Sequence, residues 1–108
     1  MAEEISPRDL AKLIENGQPL RLIDVRQVWE NQLAKLEGSL LIPLNELPMR
    51  AGEVPLETST VVVVYCHHGV RSQSAAEYLL RLGHFNVRSL RGGIDAWSCE
   101  VDPTVPRY

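Results

Sequence analysis

Val61-Val62-Val63-Val64-Tyr65-Cys66-His67-His68-Gly69-Val70-Arg71-Ser72-Gln73-Ser74-Ala75-Ala76 is the stretch that decides the fold of this chain. Its first five residues are β-branched or aromatic and show no polar alternation, which is the pattern of a central strand buried on both faces. A short polar loop follows, and then a helix-forming run. Ala75, Leu79 and Leu82 share one stripe of that run, with Ala76 and Leu80 beside it, so the spacing predicts a helix over 72–82. Strand, loop and helix in this order place Cys66 where loop N–H groups and a helix N-terminus converge. Such a place favours an anion, a thiolate included. Gly69 gives the loop a residue that accepts positive φ and lets backbone approach a ligand. Arg71 keeps its charge at any working pH and is placed to close the loop or hold an oxyanion.

Outward from this stretch, short apolar runs alternate with helical patterns, the signature of βαβ units. Ser6-Pro7-Arg8-Asp9 opens a helix that Asn16-Gly17 ends. Leu20 to Val25 reads as a strand with Asp24 near its C-terminal end, and Gln27 to Leu36 as helical in its first part. Leu40-Leu41-Ile42 is a short strand stopped by Pro43, and Pro48 keeps the next helical turn short. Asn86 to Leu90 is a strand, and Gly92-Gly93 opens a short helix through Trp97. The architecture expected is α/β: a central, mostly parallel sheet with helices on both faces. Sites in such sheets form outside the C-terminal strand ends, where both Asp24-Val25-Arg26 and the Cys66 loop lie. Asp24 and Arg26 are expected to pair and fix the loop from below. Glu30 and Trp29 read as helix surface and packing, Trp97 as core, and His84 as exposed.

The 108 residues suit one domain over 1–108, with 101–108, which carries two prolines, as an extended tail. A net charge of -3 with scattered basic residues gives no sign of nucleic-acid binding, and no apolar run approaches membrane-spanning length. The acidic start Met1-Ala2-Glu3-Glu4 is unlike a signal peptide, so a cytoplasmic location is expected. Two cysteines, Cys66 and Cys99, are too few for a disulfide scaffold, and Cys99 reads as a bystander. Cys66, His67 and His68 have no second ligand pair elsewhere in the chain, so no metal is expected.

The Cys-x-x-Gly-x-Arg-Ser loop after a valine strand resembles the active-site loop of single-domain rhodaneses, a family of sulfurtransferases. Three further segments resemble the family in the same order: Asp24-Val25-Arg26 with Trp29-Glu30, Gly38 to Pro43, and Leu90-Arg91-Gly92-Gly93-Ile94-Asp95-Ala96-Trp97. The resemblance covers almost the whole chain. It implies a rhodanese-like fold and a two-step relay in which Cys66 takes sulfane sulfur from a donor such as thiosulfate. Cys66 then carries it as a persulfide and yields it to cyanide or a thiol. His67, His68, Gly69, Val70 and Arg71 would bind substrate, with Asp24, Arg26 and Ser72 behind them. No metal or organic cofactor is implied.

Four residues separate Cys66 from Arg71, whereas cysteine phosphatases of similar design have five. The shorter ring of N–H groups suits one sulfur atom rather than phosphate or arsenate, which places a phosphatase or arsenate reductase behind sulfur transfer. A binding or redox-sensing module is the alternative from another class, although inactive modules of this kind typically lack the cysteine. Ala34-Lys35-Leu36 stands where the family often has Gly-His-Ile, and His67 and His68 stand where many active members carry Arg or Lys. Two imidazoles mostly neutral at pH 7 attract dianionic thiosulfate weakly. A protein persulfide or a thioredoxin-like partner is therefore also expected.

Overall fold

The computed structural model describes residues 2–108. Five strands, β1 (Glu4–Ile5), β2 (Leu20–Asp24), β3 (Leu40–Leu41), β4 (Val61–Tyr65) and β5 (Val87–Leu90), form one sheet in the order β1-β5-β4-β2-β3. Every pairing is parallel, so all strands point their C-terminal ends to one edge. The helices are α1 (Pro7–Glu15), α2 (Val28–Leu33), α3 (Leu47–Arg50), α4 (Val70–Arg81) and α5 (Gly93–Glu100). Short 3-10 turns at Leu44–Glu46 and Ala51–Glu53 flank α3.

β4 lies at the centre and is buried along its whole length. Its alternate residues feed two cores. Val62, Val64 and Cys66 pack with Ile23, Val25, Ala75, Ala76 and Leu79 on the α4 side. Val61, Val63 and Tyr65 pack with Leu10, Leu22, Leu90, Ile94 and Trp97 on the α1–α5 side. This is why the run shows no polar alternation. α1 begins as its sequence directs: the Ser6 hydroxyl accepts the Asp9 N–H at 3.1 Å, and Pro7 takes the first helical position. β1, two residues at the sheet edge, is too short for any periodicity to mark it.

Two surface expectations are corrected. His84 is 4 % exposed, not solvated, because the connection before β4 folds over the end of α4 and brings the Pro55 carbonyl within 3.0 Å of its Nδ1. Glu30, expected on the helix surface, is 3 % exposed. α2 turns inside out: Val28, Trp29 and Leu33 face solvent while Glu30 points inward. The inner face of α2 meets the Arg71 guanidinium and the Tyr108 hydroxyl, so it buries a carboxylate rather than an apolar stripe.

Residues 101–108 form neither helix nor strand. They turn around Asp102, whose carboxylate accepts from the Thr104 N–H and hydroxyl at 3.1 and 2.6 Å. The segment then runs back over the domain, and Val105 and Tyr108 pack against the α1–α5 core. The Ser98 hydroxyl donates to the Val105 carbonyl.

Candidate active site

Cys66 follows the last residue of β4 and is buried at 1 % exposure. The chain then turns through Gly69, whose φ of 108° is one that other residues rarely adopt. α4 begins at Val70, two residues earlier than the periodicity suggests, and its N-cap is Gly69, which has no side chain to cap it. The first-turn N–H groups are therefore left for another acceptor. The Cys66 sulfur takes that place: it accepts the Gly69 N–H at 3.0 Å and the Ser72 N–H at 3.4 Å. Donors and a helix dipole aimed at one sulfur stabilise negative charge there. The carbonyl oxygens of the loop turn the other way. Those of Cys66 and His67 accept the N–H groups of Ile94 and Asp95 in the first turn of α5, at 2.9 and 3.1 Å. Beneath the sulfur, the Ser72 hydroxyl donates to the Gly69 carbonyl at 3.1 Å and lies 2.7 Å from the Ser89 hydroxyl.

Arg71, in the first turn of α4, forms a two-pronged pair with Glu30 at 2.6 and 2.9 Å. Glu30 also accepts the Gln27 N–H at 3.0 Å and the Tyr108 hydroxyl at 2.7 Å. Arg71 above all, with these two donors, holds the Glu30 carboxyl down at about 2 against the opposing effect of burial. Deeper in, Arg26 and Asp24 are both fully buried and paired through two contacts, Nη2 to Oδ2 at 2.7 Å and Nε to Oδ1 at 2.8 Å. Arg26 also donates to the Ala34 carbonyl at 2.6 Å and the Tyr108 hydroxyl at 2.8 Å. Burial pushes the Tyr108 phenol up to about 12, so it remains protonated and can donate to Glu30. The His67 ring is sandwiched, with its centroid 3.9 Å from that of Tyr108 and 3.9 Å from that of His68. Burial, and then His68, lower its proton affinity below that of an ordinary imidazole.

The family model of the rhodanese-like domain matches residues 6–100. The chain belongs to the rhodanese family. A sulfurtransferase of Allochromatium vinosum is 34 % identical over 105 residues, which cover 97 % of this chain and 96 % of that one. The probable adenylyltransferase/sulfurtransferase MoeZ of Mycobacterium tuberculosis is 34 % identical over 104 residues, 96 % of this chain but 26 % of MoeZ. This rhodanese domain thus spans about a quarter of that relative's length. The crystal structure of a rhodanese-related protein from Thermoplasma volcanium superposes with a TM-score of 0.82 at 31 % identity, over 98 % of this chain and 99 % of that one. This is a rhodanese domain of the sulfurtransferase type.

The rhodanese sheet edge collects the residues that the sequence singled out, with some redistribution. Ser72 lies against the thiol itself, its hydroxyl 3.5 Å from the sulfur, rather than behind it. Gly69 contacts the sulfur through its backbone, while the Val70 side chain is exposed. His67 forms a wall under Tyr108, and its Nε2 is buried with no hydrogen-bond partner. The His68 side chain is mostly exposed, 3.9 Å from the Asp95 carboxylate. Asp95 pairs with Arg107 at 2.8 Å. A groove lined by Leu22, Leu36, Trp97 and Val105 lies elsewhere and includes no residue of the Cys66 loop. Sequence reasoning missed Glu30 and Tyr108 as parts of the site. Glu30 sits in the same signature segment as Asp24 and Arg26, which was a usable signal. Tyr108 had none, because its partners Arg26 and Glu30 are 82 and 78 residues away. Among the described residues no helix is long and apolar enough to cross a membrane, and no cluster of three or more metal-ligating side chains occurs.

Proposed function

We propose that this domain moves sulfane sulfur from a donor such as thiosulfate to a nucleophilic acceptor through a persulfide on Cys66. The observation that carries the reading is the pair of N–H groups from Gly69 and Ser72, 3.0 and 3.4 Å from the Cys66 sulfur, at the start of α4. In the first step the Cys66 thiolate attacks the outer sulfur of thiosulfate. A new S–S bond forms, and sulfite leaves with the electron pair of the old one. The product, Cys–S–S⁻, carries its charge on an atom that the same loop can cradle. In the second step cyanide or a thiolate attacks that outer sulfur, and Cys66 regains the electron pair as thiolate.

Cys66 carries the sulfur itself, so the reaction needs neither metal nor organic cofactor. A protein persulfide or a thioredoxin-like thiol can stand at either end of the relay, since each step is attack of a thiolate on a sulfur–sulfur bond. A reducing compartment, the cytoplasm in this reading, keeps Cys66 available as a free thiol. The test is to incubate the protein with thiosulfate and weigh the Cys66 peptide. The expected result is the gain of one sulfur atom, removed by cyanide and missing in Cys66→Ser. Identical behaviour of wild type and Cys66→Ser would overturn the reading.

A further inference from the structure

Three ion pairs lie around the Cys66 loop. Asp24 is bound to Arg26, Glu30 to Arg71, and Asp95 to Arg107. Arg71 is the only cation of the loop 66–71. Both terminal nitrogens of its guanidinium are engaged by the two oxygens of Glu30. His67 offers no replacement: burial and its neighbour hold it below the ordinary imidazole range, and its ring is sandwiched between Tyr108 and His68. A dianion seeking Arg71 must therefore compete with an internal carboxylate. Displacing Glu30 would leave a buried negative charge without its main partner, which is strongly unfavourable. Glu30 is also held from behind by the Tyr108 hydroxyl and the Gln27 N–H, so it does not simply swing aside.

We propose that Glu30 selects the sulfur donor by charge: by occupying Arg71 it withholds the loop's own cation from the donor, and so favours sulfane-sulfur donors with one negative charge or none over the thiosulfate dianion. The inference rests on the persulfide reading above. Glu30 touches no reacting atom and acts through Arg71, as a positioning residue. With Arg71 occupied, the donor meets the backbone N–H cradle in which Gly69 and Ser72 are aimed at one anionic sulfur.

Two donors separate charge from chemistry. Thiosulfate carries two negative charges and releases sulfite; methanethiosulfonate carries one and releases methanesulfinate. Each transfers the same outer sulfur to the Cys66 thiolate. The second-order rate of Cys66 charging is measured for both by rapid quench and mass spectrometry, in wild type and Glu30→Gln. In Glu30→Gln the thiosulfate rate is expected to rise about tenfold, the scale of one local charge interaction, and the methanethiosulfonate rate much less. A purely structural role would lower both rates together and leave their ratio unchanged, and that result overturns the proposal. The wild type supplies an independent readout should Glu30→Gln fold poorly. Its thiosulfate rate is expected to stay level or rise as ionic strength increases, because the loop's own cation is already neutralised by Glu30. A steep fall with salt would overturn the proposal. If neither donor adds sulfur to Cys66 of the wild type, the persulfide reading itself fails and the proposal with it. If both add sulfur with a ratio indifferent to Glu30, only the proposal fails.

Discussion

The phenol of Tyr108 donates a 2.7 Å hydrogen bond to the carboxylate of Glu30, across 78 residues of sequence. The same oxygen accepts from Arg26 at 2.8 Å, so one side chain ties the buried Asp24–Arg26 pair to the Glu30–Arg71 pair beside the thiol. Its ring meanwhile stacks on His67, with only 7° between the planes. The segment 101–108 thereby becomes part of the site wall.

Tyr108→Phe separates these two roles. The ring and its stack on His67 remain, while Arg26 loses an acceptor and Glu30 a donor. The expected cost is about 1–2 kcal/mol in stability, measured by urea unfolding, from leaving part-buried polar groups less satisfied. The rate of Cys66 charging is expected to change less in Tyr108→Phe than in Tyr108→Ala, which also removes the wall over His67. Equal rate losses in the two variants would mean that the stack contributes nothing.

Acid sensitivity follows from Glu30. In the folded protein Arg71 above all holds the Glu30 carboxyl at about 2, below the usual glutamate range. A carboxyl depressed in this way contributes stability that is fully present above its unfolded value and lost as pH falls through the folded one. The wild type is therefore expected to lose up to roughly 3 kcal/mol between pH 5 and pH 2 from this group alone. Glu30→Gln is less stable at pH 7 but shows a shallower decline over that window. Urea midpoints taken at several pH values give the comparison, and parallel declines in the two proteins would count against it.

How much of this was legible in the sequence depends on how local each feature is. β4 and most of α4 are set by consecutive residues: a β-branched run and a helical stripe. Asp24 and Arg26 are two residues apart, and their pairing is a local matter. The first turn of α4 was hidden because the helix is capped by a glycine and its free N–H groups are spent on a sulfur, so no capping side chain marks the start. Glu30 and His84 were misread for a different reason. Each looks like an ordinary surface polar residue until a partner 41 or 29 residues away is brought against it. α2 misleads further, since its apolar residues are the ones left outside.

The Asp24–Arg26 pair anchors the floor of the site, and breaking it is expected to be severe. Asp24→Ala leaves a fully buried guanidinium with two fewer contacts to negative charge. Removing one partner of such a pair costs about 3–5 kcal/mol, and the loss shows as a lower urea midpoint and Tm. Asn31, whose amide donates to Asp24 at 2.9 Å, is only part of that assembly. Asn31→Ala is expected to cost about 1 kcal/mol, in line with a single part-buried hydrogen bond. A loss in Asp24→Ala no larger than that in Asn31→Ala would show that the pair is not the anchor.

Gly93 offers the sharpest test of how the loop is held. A Cβ at this position would sit 2.5 Å from the Cys66 carbonyl oxygen and closer still to that of His67, and the residue's φ is +64°. Those two carbonyls face α5 because its first-turn N–H groups bind them, at 2.9 and 3.1 Å, and this arrangement leaves the loop N–H groups free to face the sulfur. In Gly93→Ala the backbone of the loop must retreat from α5. Backbone strain and clash together are expected to cost about 2–3 kcal/mol. Cys66 charging is expected to fall by at least about tenfold, because a displacement of the cradle by an ångström is enough to misplace a reacting atom. Gly52→Ala is the matched control: an added Cβ there meets nothing within 4 Å, so stability is expected to stay level or rise by about 0.5 kcal/mol with charging unchanged. Thermal unfolding and single-turnover charging on both variants decide the point. A Gly93→Ala protein that charges like wild type would show that the loop keeps its cradle without the support of α5.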